Sequence, residues 1–165
     1  MKLQDQRRRK LVIVVHCILN QNSRVSGLAY YPAMIDEIVE VLKRHDVSFL
    51  QIPCPELIYA GVQRPRQTKE EYDTPRYRKH CRQIAVSMCS QLEELTRNGT
   101  RIIALLGVKG SPSCGVGKLS GETGILIEEL ARELERRELK TLMRALDFYR
   151  ISADVKWLEG IMEIV

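Results

Sequence analysis

The first apolar segment of the chain, residues 11–15, is an unbroken run of Leu11, Val12, Ile13, Val14 and Val15. A continuous β-branched run, with no polar alternation, predicts a strand buried on both faces. Residues 20–27 are polar and turn-rich. Over 32–44, Met34, Ile35, Ile38, Val39 and Leu42 recur at helical spacing, with Pro32 near the first turn. Residues 47–52 read as a second strand, after which Pro53, Pro55, Gly61 and Pro65 mark a loop. A long helix is expected over 76–97, stopped by Asn98-Gly99. Residues 101–106 form a third buried strand, and 107–124 are rich in Gly and Ser. A helix over 125–137 and a weaker fourth strand over 139–145 follow. Ser152 would cap a last helix running toward Ile164, with Asp154 in its first turn.

Strands alternating with helices imply an α/β fold. With right-handed crossovers, it becomes a single three-layer doubly wound domain on a mainly parallel four-stranded sheet. The length, 165 residues, suits one domain. Residues 11–165 are assigned to it, and 1–10 to a basic, solvated and frayed N-terminal segment. Arg7, Arg8, Arg9 and Lys10 there account for much of the net charge of +5. No aromatic ladder, zinc-finger spacing or RNA-recognition signature accompanies that run, so no DNA partner is expected. The apolar run after it is short, broken by His16 and without a small-x-small cleavage site, unlike a signal peptide. No stretch approaches the roughly 20 apolar residues of a membrane span. A cytoplasmic protein with no membrane partner is the expectation.

Five cysteines, an odd number and widely spaced, do not resemble a disulfide framework. Cys17 follows the first strand directly, Cys54 the second, and Cys114 lies in the loop after the third. In a parallel sheet those positions share one edge, the carboxyl ends where open α/β folds bind ligands. Cys54 is fixed between Pro53 and Pro55. Gly115 and Gly117 beside Cys114 would let backbone amides approach a ligand. Cys81 and Cys89, eight residues apart on the long helix, read as packing residues. Three thiolates are one short of a closed zinc or iron–sulfur site. A [4Fe–4S] cluster with one iron free of protein is the natural candidate, and that soft open iron would favour sulfur.

At these residues the chain resembles the thiouracil desulfidase family, as a divergent short subgroup. Three motifs carry the resemblance: Cys17-Ile-Leu-Asn-Gln-Asn-Ser-Arg-Val-Ser-Gly27; Ile52-Pro-Cys-Pro-Glu56 with Gly61, Pro65 and Arg66; and Lys109-Gly-Ser-Pro-Ser-Cys-Gly115. His16, Asn20 and residues 67–80 depart from the family's pattern. The resemblance implies that Cys17, Cys54 and Cys114 hold a [4Fe–4S] cluster. Its free iron takes sulfur from a thiolated pyrimidine, and water attack turns C=S into C=O without redox change. Glu56 and Ser111 match the family's acid/base glutamate and serine. Arg24, Arg66, Ser113 and His16 would contact the substrate, whereas solvated surface charge suits Arg64 at least as well. A free base or nucleoside is favoured as substrate over thiolated tRNA.

Two other classes compete. The same cysteines could serve a non-catalytic iron–sulfur or zinc carrier or sensor, separated from the enzyme only by Glu56 and Ser111. A phosphate- or nucleotide-binding protein is suggested by Gly115-Val-Gly-Lys-Leu-Ser-Gly121. A Walker A motif would need Gly at 112 and Ser or Thr at 119, where the chain has Pro112 and Leu119.

Overall fold

A computed structural model describes residues 4–117 and 122–165 of the chain. Strand β1 (Lys10–Val15) leads into a short helix α1 (His16–Leu19) and one 3₁₀ turn (Gln21–Ser23). Helix α2 (Asp36–Arg44) and strand β2 (Ser48–Ile52) follow. Next come α3 (Pro55–Ala60), α4 (Lys69–Tyr72), the long α5 (Pro75–Arg97) and β3 (Arg101–Val108). The chain closes with α6 (Ile125–Arg136), β4 (Leu142–Leu146) and α7 (Ile151–Ile164).

The four strands form one sheet in the order β2-β1-β3-β4, and every pairing is parallel. Central β1 and β3 are the two long apolar runs. Val12, Ile13, Val14, Ala104, Leu105 and Leu106 are wholly buried, as strands covered on both faces must be. Edge strand β2 exposes Phe49, and edge strand β4 exposes Leu142. Between Leu11 and Val12 the β1–β3 register slips by one residue, so that Ile103 is the extra position, a bulge in β3. Helix α5 packs along α6, and α2 packs on α7. With right-handed crossovers these pairs cover opposite faces, which makes three layers. The chain moves from β1 outward to β2, then returns past β1 to build β3 and β4. The β1/β3 crevice is therefore the point where the strand order reverses.

The α5 stripe Tyr77, Cys81, Ala85, Met88, Cys89 and Leu92 is buried, and Cys81 and Cys89 are indeed core residues. Met88 and Leu92 each contribute roughly 1.5–3 kcal/mol on burial. Opposite that stripe, Glu129 of α6 is buried and meets Arg78 and Arg82 of α5 and Arg132 of its own helix. The N-terminal basic run is tied to the fold where Arg9 donates to the Asn98 carbonyl and its own carbonyl accepts from the Arg101 amide, and where Arg8 pairs with Asp46 at 3.5 Å.

Several boundaries differ from expectation for local reasons. Helix α2 starts at Asp36, not near Pro32, because the Ile35 amide is committed to the Ile18 carbonyl (2.9 Å). The 53–65 loop contains α3, begun by Pro55 and closed by Gly61, whose φ of 83° terminates the helix. Helix α4 is set by a Thr68–Glu71 capping box. The fourth strand begins at Leu142, because the Leu139 amide closes back on the Leu134 carbonyl and Glu138 turns through φ 56°. Ser152 does not cap α7. Its N-cap is Arg150, and Asp154 instead accepts from Arg144 Nε and from the Asp147 amide, both at 2.7 Å.

Candidate functional site

The loops after all four strands meet at the carboxyl edge of the sheet. Cys17 is the second residue of α1, one step beyond β1. Cys54 is the N-cap of α3, where its Sγ accepts from the Leu57 amide at 3.4 Å, a placement that favours thiolate character. Cys114 lies in a tight turn after β3. Its amide donates to Ser111 Oγ (3.0 Å), and its carbonyl accepts from the Val108 amide (2.9 Å). Cys17 and Cys54 are half-buried, and Cys114 is buried.

The three thiols influence one another. Burial pushes the Cys17 thiol up to about 11, with Arg24 opposing and Cys54 adding to the shift. Burial also raises Cys54, against the Leu57 amide. Cys114 is driven well above the usual thiol range by burial, then by Cys17 and Cys54. The strand-end placement puts the three cysteines on loops of one sheet edge, where Ser113, the neighbour of Cys114, bonds Glu56, two residues beyond Cys54. Among the described residues, no three His, Cys, Asp or Glu side chains are arranged to hold a single metal ion. A cubane sets a different requirement, since each thiolate binds its own iron and the sulfurs stand further apart than around one ion. A soft set of three thiols suits iron–sulfur chemistry.

A buried polar chain joins the three cysteine loops. Ser113, fully buried, donates to Glu56 Oε1 (2.8 Å) and meets the Tyr77 hydroxyl at 2.7 Å. Arg64 Nε donates to Glu56 Oε2 (3.2 Å), Nη2 to the Ser23 carbonyl (2.8 Å) and Nη1 to the Gly61 carbonyl (3.0 Å). Arg64 is only 6% exposed, so a solvated surface role does not describe it. Its charge is kept inside by a carboxylate and two carbonyls, the only way a buried guanidinium is tolerated. Arg66 is the exposed member of the pair. Ser111 serves as a turn serine, accepting from the Cys114 amide, and it is Ser113 that touches Glu56.

Arg24 is half-buried. Its Nη1 stands 4.0 Å from Cys17 Sγ, its Nε donates to the Leu28 carbonyl (2.7 Å), and its guanidinium lies 4.9 Å over the Phe148 ring. Phe148 gathers Tyr30 and Tyr31 edge-on at 6.2 Å. The Tyr30 and Tyr149 hydroxyls meet. This aromatic patch beside Arg24 was not singled out in the sequence, where the four residues fall in two distant loops without periodicity. His16 has its two ring nitrogens within hydrogen-bond reach of the Gln51 and Asn20 amides, at 3.0 and 3.2 Å, and burial lowers its pKa. Asn20 needs no glycine, for its φ of −148° is extended.

The glycines after β3 serve packing rather than ligand approach. A Cβ on Gly115 would stand 2.6 Å from the Glu122 carbonyl, and one on Gly124 2.2 Å from Ser113 backbone carbon. The Gly115 amide is spent on the Ser111 carbonyl (3.0 Å). Lys118, Leu119, Ser120 and Gly121 of the candidate phosphate loop lie outside the described residues.

Tyr72 packs on Tyr77, with centroids 4.7 Å apart, and its buried hydroxyl has no hydrogen-bond partner among the described residues. Burial pushes that phenol up to about 12, with Glu56 adding and Arg64 opposing. An unsatisfied buried hydroxyl costs roughly 1–3 kcal/mol. Tyr72→Phe is therefore expected to leave stability unchanged or raise it by about 1 kcal/mol, measured by urea unfolding. A loss of that size would show that the hydroxyl is satisfied in solution.

No family model and no solved structure matches the chain. A protein of Methanocaldococcus jannaschii, the uncharacterized protein MJ0003, is 36% identical over 159 residues, which cover 94% of this chain and 98% of that protein. No helix among the described residues is long and apolar enough to cross a membrane. With that identity running nearly end to end through both proteins, the chain belongs to the same family as MJ0003.

Proposed function

We propose that the chain is a cytoplasmic, [4Fe–4S]-dependent, non-redox desulfidase of the thiouracil desulfidase type, acting on a thiolated pyrimidine base or nucleoside. The observation that carries this reading is the placement of Cys17, Cys54 and Cys114 on loops of the switch-point edge, with buried Glu56 and Ser113 alongside. When bound, the cluster supplies a soft Lewis-acidic iron for sulfur. Holding it replaces thiol protons, so loading is favoured as pH rises.

The overall change is C=S plus water to C=O plus hydrogen sulfide, with no electrons exchanged. Glu56 accepts one hydrogen bond on each oxygen, from Ser113 and from Arg64. A carboxylate has about four lone-pair sites, so capacity remains to take a proton from water. Tyr77 orients Ser113, which orients Glu56. Arg24 and the flat faces around Phe148 suit a planar polar ring. Arg66, exposed on the loop after α3, is free to meet the substrate's polar edge.

Glu56 being engaged on both oxygens favours one competing reading, a non-catalytic cluster carrier or sensor. Anaerobic reconstitution with iron and sulfide, followed by incubation with 2-thio- and 4-thiopyrimidines, separates the two. The desulfidase is expected to show a visible charge-transfer band, loss of thiobase absorbance and release of sulfide. An intact cluster without turnover of bases, nucleosides or thiolated tRNA would leave the carrier or sensor.

A further inference from the structure

We infer that Arg64 is a positioning residue for the three-thiol site, a rigid bridge that fixes the Cys17 loop against the Cys54 and Cys114 loops. The inference rests on the reading of that site as a cluster cradle and adds the device that holds its parts in register. Loops on a sheet edge move more than the strands they join. Three thiols on three such loops keep one geometry only if something ties the loops together. The Arg64 fork reaches the Ser23 carbonyl, six residues beyond Cys17, and Glu56, two residues beyond Cys54. Glu56 in turn holds Ser113, the neighbour of Cys114. The chain Ser23–Arg64–Glu56–Ser113–Tyr77 therefore crosses every cysteine-bearing loop and ends on the core helix α5.

Stability alone does not account for the pair. A buried ion pair is often matched or exceeded by apolar residues of equal volume. What apolar residues lack is direction, which a planar guanidinium with fixed donors supplies. Lysine, a single mobile point charge, cannot span Glu56 and Ser23 in the same way.

The test compares the full chain with Arg64→Met, Arg64→Lys and Arg137→Met. Arg137 pairs with Glu93 and Glu133 at the opposite, amino end of the sheet, so its variant reports general weakening. The metal-free proteins are alkylated with iodoacetamide and mapped by mass spectrometry. Cys114 reports the site, and Cys89, buried in the α5 stripe, reports global opening. Arg64→Met is expected to raise Cys114 alkylation roughly tenfold relative to Cys89 by local opening, with Arg64→Lys falling between it and wild type. Arg137→Met should leave that ratio unchanged. After reconstitution, iron and sulfide should be stripped by a chelator faster from Arg64→Met than from wild type or Arg137→Met. Wild-type alkylation ratios in both Arg64 variants overturn the inference, as does equal acceleration of Cys89 and Cys114, which would make Arg64 a general support of the fold. If wild type takes up no iron and sulfide, the cluster reading fails while the alkylation ratio still decides whether Arg64 sets the loops.

Discussion

Replacing Cys17, Cys54 or Cys114 by Ser is expected to reduce retained iron and labile sulfide to background, each substitution alone sufficing. A hydroxyl is a hard, weakly acidic ligand and a poor substitute for a thiolate on iron. With only three ligands, no spare position compensates for a loss. Cys81→Ala and Cys89→Ala should keep the full complement, since both side chains are spent on the core between α5 and the sheet. Iron and sulfide per chain after anaerobic reconstitution decide the matter, with circular dichroism confirming that each variant folds. Equal iron in all five variants would overturn the ligand assignment. Loss confined to one or two of the three would redraw it.

Glu56→Gln should keep the cluster and lose rate by roughly 10²–10⁴-fold, the range for a positioned acid/base group. The amide is isosteric and still meets Ser113 and Arg64, so the loops keep their link. It no longer carries the charge that accepts a proton. The same change leaves Arg64 buried without its counter-charge, and breaking a buried pair costs about 3–5 kcal/mol. Stability and rate must therefore be read separately, with turnover expressed per loaded cluster. An unaltered rate per cluster beside a lowered unfolding midpoint would make Glu56 a structural anchor and leave the base elsewhere.

What could be read from the chain beforehand depended on how local its cause was. The β1 and β3 runs were legible because strands covered on both faces need no alternation, and nothing nearby competes with them. Helix α5 was legible from its length and its Asn98-Gly99 stop, and Cys81 and Cys89 on it as packing residues. The short helices α3 and α4 were not, since Pro55, Gly61 and the Thr68–Glu71 box act through capping within a segment whose prolines point to a loop. The placement of the three cysteines on one sheet edge was accessible because it follows from topology alone: three strand ends of one parallel sheet. Arg64 was not. Its partner Ser23 lies 41 residues away, and nothing in sequence distinguishes it from exposed Arg66 two positions on. Tyr77 was not singled out either, since its hydroxyl contact with Ser113 depends on how α5 lies against the β3 loop. The glycines beside Cys114 were read for ligand approach, whereas the backbone of 122–124 already occupies that space.

The strand order carries a consequence for biosynthesis. Lys10 of central β1 pairs with Arg101 of β3, so β1 waits for its second neighbour until β2, α5 and the β3 segment have all been made. Such non-local parallel pairing is slow to form. Cys17 and Cys54 emerge well before the segment that carries Cys114, and the three-thiol edge does not exist until β3 has docked. Insertion of the proposed cluster would then have to wait until β3 has docked, and a nascent chain stalled before residue 114 would display Cys17 and Cys54 without their third partner.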